Sequence, residues 1–580
     1  MILQALSSYY ERIATDSSKS VALPGFSTEG IDFSVRLDKS GKLLDVVDLR
    51  ELKGKKLTRK PLIVPKPPQK RTSGKSPYFA WDKTDYVFGC TVDKEGQPVL
   101  TPKHFDEFKK LLKNVGGDSH DDGIRAVICF AESWKPENAQ KLANWPDVAG
   151  KNVVFQLDGE FQFVHDRPAV KQMWIKHFSN TADAEASEAM CLVTGNRCKI
   201  ARLHPAIFGV ANAHTAGAGI VTFNKDKTAF TSYGKEQNLN APVGMNTAFS
   251  YATALNFLLR AGSKQKIQIG DATTAFWAEK SSPVEGFFGM VLDPRDTSAE
   301  EAELRTYLQA VKEGKFPSTI DPATMFYVLG LSPNGPRLSV RYWHASTVKD
   351  ISEKIGQHFR DLSMVRSFDS DPEYPGMWHL LKETSNQKSE DGPTPLLGGA
   401  VMQAILNGTL YPQELLAAVI GRIRAEQSSK DKNGKPRQNV NYLRAAIIKA
   451  VLARKNRILN HGMEISMALD KENRNIAYLL GRLFAVLEKA QQDAIPGANT
   501  TIKDRFYGSA SATPRVVFPQ LLRLAQHHIE KAEYGRFRDK QIEEIIGNIP
   551  EFPAHMGLDQ QGLFAIGYYH QRQDFKKNTN

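Results

Sequence analysis

"ETSNQKSEDGPTP", residues 383–395, has no large apolar side chain and stands between two stretches with different hydrophobic patterns. Ahead of it, strand signals dominate. "IDFSVRLDKSGKLLDVVDL" (31–49) reads as a hairpin turning at Lys39, Ser40 and Gly41, and "AVICF" (126–130), "NVVFQL" (152–157) and "FYVLGLSPNGPRLSVRYW" (326–343) read as further strands bounded by Gly, Pro or Asn, with a helix interspersed at 298–313. Behind it, apolar residues recur at helical spacing over 412–425, 441–459, 473–490, 514–533, 537–547 and 560–573, the first opening on Pro412 at a favoured first helical position. The pattern predicts an α+β protein: a mixed, β-rich first domain (1–382), a linker (383–395) and an all-α helical bundle (396–580).

A chain of 580 residues exceeds what one core usually supports, which agrees with more than one domain. The longest apolar run, "AYLLGRLFAVLE" from 477, is short and interrupted by Arg482, so a soluble, cytoplasmic protein without a membrane partner is expected. Four cysteines (Cys90, Cys129, Cys191, Cys198) exclude a disulfide scaffold and fit a reducing compartment. The net charge of +12 points to an anionic partner. Two acid-free tracts concentrate it. Residues 53–75 hold Lys55, Lys56, Arg59, Lys60, Lys66, Lys70, Arg71 and Lys75 among four prolines, which predicts an extended arm or long surface loop, neither helix nor central strand. Residues 432–463 hold Arg444, Lys449, Arg454 and Arg457 on a helix whose Leu443, Ile447 and Val451 face the core, so the rest of its surface reads as positive and fit for phosphates.

In the middle of the chain, "AGIVTF" and "TAFTSY" read as strands joined by Asn224, Lys225, Asp226 and Lys227. A polar loop then carries Ser232, Tyr233, Lys235, Gln237, Asn238 and Asn240 towards an amphipathic helix from Met245. Amides both donate and accept, which suits base edges, and lysine adds a charge for phosphate. Enzymatic patterns are weak by comparison. The sequence contains no phosphate-binding loop, nucleophile elbow or zinc-protease helix. Cys191, Cys198, His204 and His214 are zinc-ligand types at spacings that match no common template, and "SHDDG" (119–123) and "VHD" (164–166) are short His-Asp pairs. A non-catalytic nucleic-acid-binding protein without a cofactor or metal is expected. The alternative is a metal-dependent nuclease using His204, His214 or the His120 and Asp121 pair, and a basic scaffold without sequence preference is a third reading.

The ordered blocks "LVTG", "IARLHPAIFGV", "SYGKEQNLNAP", "YATALNFLL", "IQIGDATTAFWAE" and "LGLSPNGPRLSVRYW" resemble the large subunit of the type I-C CRISPR surveillance complex, Cascade. The resemblance extends to "MILQALSSYYERI" at the start and "AIGYYHQRQDF" in the tail. It implies a subunit that recognises the protospacer-adjacent motif in duplex DNA, promotes unwinding and R-loop formation, and presents the target to a separate helicase-nuclease. Implied partners are the backbone and crRNA-end subunits that carry the crRNA, the target duplex and its displaced strand. Related large subunits read the motif with a glycine-rich loop, a lysine and a glutamine wedge. The nearest residue types here are Gly217 and Gly219, Lys227 or Lys235, and Gln237 with Asn238. The resemblance further implies a C-terminal small-subunit product from internal translation, starting at Met463 or Met467. In it Arg474, Arg482, Lys503, Arg505, Arg523 and Arg536, with Tyr478, Phe506, Tyr507 and Tyr534, would hold single-stranded DNA.

Overall fold

The computed structural model describes residues 1–580 except 17, 20, 54–55, 67–75, 183–186, 226–233, 293–301, 303–304, 311–319, 387–392, 427–428, 431–435, 463, 498–499 and 578–580. It divides into two compact units. The first comprises Met1–Gly209, Ala213–Arg260 and Asn334–Leu338, and the second Val210–Asn212, Ala261–Pro333 and Ser339–Asn580. The division therefore falls near residue 260, and the polar stretch 383–395 lies inside the second unit. One physical reason is Glu383 at its start, which is buried and accepts a 2.7 Å bond from Arg444 instead of facing solvent.

The first unit is built on a four-stranded sheet in the order Leu43–Asp48, Phe33–Leu37, Asn152–Leu157, Trp81–Lys83. Phe33–Leu37 and Leu43–Asp48 form the expected hairpin, in which Asp38 accepts the backbone N–H groups of Ser40 and Lys42. Asn152–Leu157 runs parallel to Phe33–Leu37, which requires a crossover, and helices supply it. One of these is Asp122–Ser133, so "AVICF" is helical and not a strand. Asp121 caps it by accepting the Gly123 and Ile124 N–H groups at 2.9 and 3.1 Å, a start signal that outweighs the β-branched composition of a short apolar run. The basic segment also departs from its expectation. Glu51–Lys53 pairs with Lys56–Thr58, and Lys60–Pro65 pairs antiparallel with Phe26–Ile31. Proline is tolerated there because the sheet has only two strands, so each is an edge strand.

In the second unit a sheet in the order Lys266–Ile269, Ala272–Ala278, Met325–Asn334, Arg337–Thr347 accompanies the helices, with the tip residues 334–338 grouping with the first unit. Strands therefore contribute to both units, and the α+β class holds. The expected helices are present as Gln413–Ala425, Tyr442–Leu459, Ile476–Ala494, Pro514–Lys531, Gly535–Ile546 and Leu558–Lys577, with Pro412 as the N-cap of the first. Pro395–Asn407 and Ile502–Ala512 add to them; the latter opens on a capping box between Thr501 and Asp504. Ile476–Ala494 is buried on nearly all sides, because the four helices that follow it in sequence all pack against it. Among the described residues no helix is long and apolar enough to cross a membrane.

His165, of the "VHD" pair, is fully buried beneath the stacked Phe163 ring, and neither of its ring nitrogens has a hydrogen-bond partner. Burial pulls it down to about 4, so it is neutral in the folded protein. Its folded pKa lies below the unfolded value near 6.5, so its contribution to stability is fully present above that value and is lost as pH falls towards 4. His165→Phe is expected to raise stability by about 1–3 kcal/mol near pH 8, by removing unpaired buried polar atoms. The gain is expected to widen at pH 5, as measured by chemical denaturation at both values.

Candidate nucleic-acid interface

Among the described residues, the first strand of the expected hairpin is not formed. Residues 219–223 make no regular strand; Ala218 bridges Ile207, and Gly219 bridges Arg337. The second expected strand, with Lys227, Ser232 and Tyr233, lies outside the described residues. So do Lys55, Lys70, Arg71 and Lys75 of the basic tract. The glycines serve internal contacts. Gly217 has φ +82°, and a Cβ on it would fall 2.8 Å from Ala206 Cβ and 2.9 Å from the Phe208 ring. Gly219 donates to Pro336 O at 3.0 Å and accepts from Leu338 N at 2.9 Å. Close backbone approach is thus used against the protein itself at both glycines, which are half-buried.

The polar loop reaches Met245–Leu259 through a short 3-10 turn, Gln237–Asn240. Asn240 Nδ2 donates to Lys235 O at 3.2 Å and Gln237 O at 2.9 Å, so it staples the turn. Asn238 is buried, which removes it from the wedge. Gln237 is different. It is half-buried at φ +46°, a backbone region costly to a residue with a Cβ, and its Oε1 accepts from Arg202 Nη1 at 2.8 Å. Arg202, Lys225 and Lys235 are exposed, and Asn224 accepts from Arg337 at 2.8 Å. The segment 202–208 ties these parts together, since Arg202 meets Gln237 and Ile207 bridges Ala218. The sequence reading missed Arg202, Arg337 and Phe208, which is half exposed. "IARLHPAIF" holds two of them, but its spacing gives no sign that 202 and 237 meet.

The metal alternative finds no support in the grouping of side chains. Among the described residues no three or more His, Cys, Asp or Glu side chains are arranged to hold a metal ion. His204 Nδ1 bonds Tyr251 OH at 2.6 Å and burial pulls the imidazole down to about 4, while exposed His214 takes the Ala216 N–H on its own ring. Asp121, already a helix cap, also pairs with Arg167 at 2.8 Å.

The helix tract is largely structural, whereas in the first tract Arg59 is exposed. Arg59 lies 3.2 Å from buried Asp32, Lys66 bonds Glu29 at 2.5 Å, and Lys60 is a half-buried strand residue; Lys56 lies in a strand. On Tyr442–Leu459, Arg444, Lys449 and Arg454 are buried and cannot meet a phosphate. Arg444 bonds Glu383 and Glu426, each at 2.7 Å. Arg454 and Arg457 both bond Asp361, at 2.9 and 2.7 Å, and Lys449 donates to Asp361 O at 3.1 Å. Burial alone raises the Asp361 carboxyl, but the two guanidinium groups outweigh it and hold the group below its ordinary value. In the C-terminal helices Arg482 is buried against Gln571 and Lys503 is buried, each pulled down by desolvation. Tyr478 and Tyr507 are core and offer no stacking face, while Phe506 is partly buried against the same core; Arg474 is exposed beside Glu472 at 3.2 Å. Arg505, Arg523 and Arg536 are exposed, together with Tyr534 and the overlooked Phe537.

The chain matches the family model of a CRISPR-associated protein (Cas_Csd1) over residues 6–576. That span covers nearly the whole chain, and the protein belongs to this family. No curated protein matches it.

Asp361→Leu is expected to destabilise the protein by about 3–5 kcal/mol, because it strands buried Arg454. Adding Arg454→Met is expected to recover most of the loss in denaturant titrations. If Arg454→Met instead lowers the salt dependence of DNA binding without a stability change, the structural assignment of this tract is wrong.

Proposed function

We propose that this protein is the large subunit of a type I-C CRISPR surveillance complex in antiviral defence, acting without catalysis of its own. In this reading it recognises the protospacer-adjacent motif on duplex DNA, starts unwinding, promotes R-loop formation and presents the open target to a helicase-nuclease. The observation that carries it is Gln237, an amide held at positive φ beside Arg202 on a surface that also exposes Lys225 and Lys235. Backbone strain in a polar surface loop is a feature of functional sites, an amide suits base edges, and nearby cations suit phosphates. Membership of a CRISPR-associated family supplies the kind of target. R-loop formation exchanges one duplex for another of similar stability, so a few interactions that favour the open state decide the outcome.

Replacing Arg202, Lys225 and Lys235 with alanine is expected to flatten the slope of log K against log salt by about 0.9 for each duplex phosphate no longer neutralised. Gln237→Ala is expected to reduce R-loop formation on a fully paired target and to be rescued by a target already mismatched beside the motif, since unstacking costs a few kcal/mol. Equal impairment on both targets removes the wedge role. Binding of the reconstituted complex to target duplexes randomised beside the guide match tests the reading as a whole, the expected result being enrichment of one short motif.

A second product beginning at Met463 or Met467 belongs to the same proposal. Met463 lies outside the described residues; Met467 is 55% exposed, and its carbonyl accepts from Val365 N at 2.8 Å. In the full chain Leu558–Lys577 packs on Tyr442–Leu459, with Gly562 against Ile448 and Leu452. A free copy would expose that apolar face for a neighbouring subunit. Intact-mass analysis of the purified complex is expected to show a fragment starting at one of these residues, which disappears when both are recoded to Leu.

A further inference from the structure

The antiparallel pair Glu188–Met190 and Arg197–Lys199 carries two cysteines that the DNA-binding reading does not use. Cys191 directly follows the first strand and is fully buried, whereas Cys198, in the second, is half-buried. Both sulfurs converge on Gly244, the residue that begins Met245–Leu259. A Cβ built there would lie 2.7 Å from the Cys198 sulfur and 3.8 Å from the Cys191 sulfur, so glycine is what allows the two thiols to share this space.

Cys191 Sγ accepts the Gly244 N–H at 3.3 Å and the Val193 N–H at 3.4 Å. Unpaired N–H groups at a helix start favour a thiolate. Burial raises the Cys191 thiol, but the Gly244, Thr194 and Val193 donors outweigh it and bring the group down to about 7. Cys198 is raised by burial and, further, by the charge of Cys191 and a hydrogen bond with it. The Gly244 and Val193 N–H groups thus favour the thiolate of Cys191, and the more accessible Cys198 thiol lies beside it.

We infer that Cys191 and Cys198 form a peroxide-responsive pair that closes to a disulfide and in doing so releases the amide at the start of Met245–Leu259. The Cys191 thiolate attacks one oxygen of hydrogen peroxide, the O–O bond breaks, and Cys191 becomes a sulfenic acid while hydroxide leaves. The Cys198 sulfur then attacks the Cys191 sulfur, the S–S bond forms, and the displaced hydroxyl departs as water with the Cys198 proton. Two thiols are oxidised and one peroxide is reduced to two waters. A disulfide sulfur is a poorer acceptor than a thiolate, so the Gly244 N–H loses its partner, and Gly244 also ends the loop that carries Gln237.

The test uses full-length protein treated with hydrogen peroxide, alkylated with N-ethylmaleimide in denaturant, and mapped by peptide mass. The pair is expected to lose two hydrogens and to escape alkylation until dithiothreitol is added. Cys198→Ser is expected to form no bridge and to let Cys191 proceed to sulfinic acid. Hydrogen exchange over 234–250 is expected to speed up after peroxide in the unmodified protein and not in Cys198→Ser. Complete alkylation of both cysteines after peroxide, or a bridge formed with unchanged exchange at Gly244, overturns the inference.

Discussion

The helices Ile476–Ala494 and Leu558–Lys577 cross with their backbones touching. A Cβ on Gly481 would lie 2.0 Å from Phe564 O, and one on Gly567 would lie 2.1 Å from Tyr478 O. No side chain fits at either position without forcing the helices apart. The crossing brings Glu488 against Tyr568 OH at 2.6 Å and Arg572 at 2.8 Å, and Tyr478 OH to His570 Nδ1 at 3.0 Å. Buried polar groups of this kind are tolerated only when their partners arrive together, so the close approach and the network require each other. Burial pulls His570 down to about 3, keeping it neutral and able to share a bond with the tyrosine.

The same physics governs the basic residues. A net charge of +12 invites a search for phosphate-binding sites, yet many of the cations that stand out in sequence are spent inside the second unit. Asp361 collects two guanidinium groups and Glu488 collects Arg572, each acid being buried itself. An uncompensated charge at these depths would cost several kcal/mol, so these positions answer to folding first. Among the described candidates, the cations left exposed to a polyanion include Arg59, Arg202, Lys225 and Lys235 in the first unit, and Arg457, Arg474, Arg505, Arg523 and Arg536 in the second. The candidate interface draws on loops, whose polar groups are satisfied locally by staples such as Asn240, leaving Gln237 and Arg202 at the surface.

Local pattern was enough for many of the elements, though not for "AVICF", which is helical, or for residues 219–223, which form no strand. A β-rich run marked Asn152–Leu157, the turn at Lys39 to Gly41 marked the first hairpin, and helical spacing marked Tyr442–Leu459 and Leu558–Lys577, because each signal is written within a few neighbouring residues. The α+β class was legible for the same reason, and the CRISPR-associated family through the resemblance of the ordered sequence blocks. Tertiary structure alone decided which charges are available. Arg444 meets Glu383 and Arg454 meets Asp361 across 61 and 93 residues of sequence, so an acid-free tract is neutralised by acids that lie far away along the chain. The meeting of Gln237 with Arg202 across 35 residues, and of two cysteines at Gly244, is equally non-local. Spacing along a chain reports only the neighbours that the local backbone period enforces; burial and partnership depend on how distant segments are brought together.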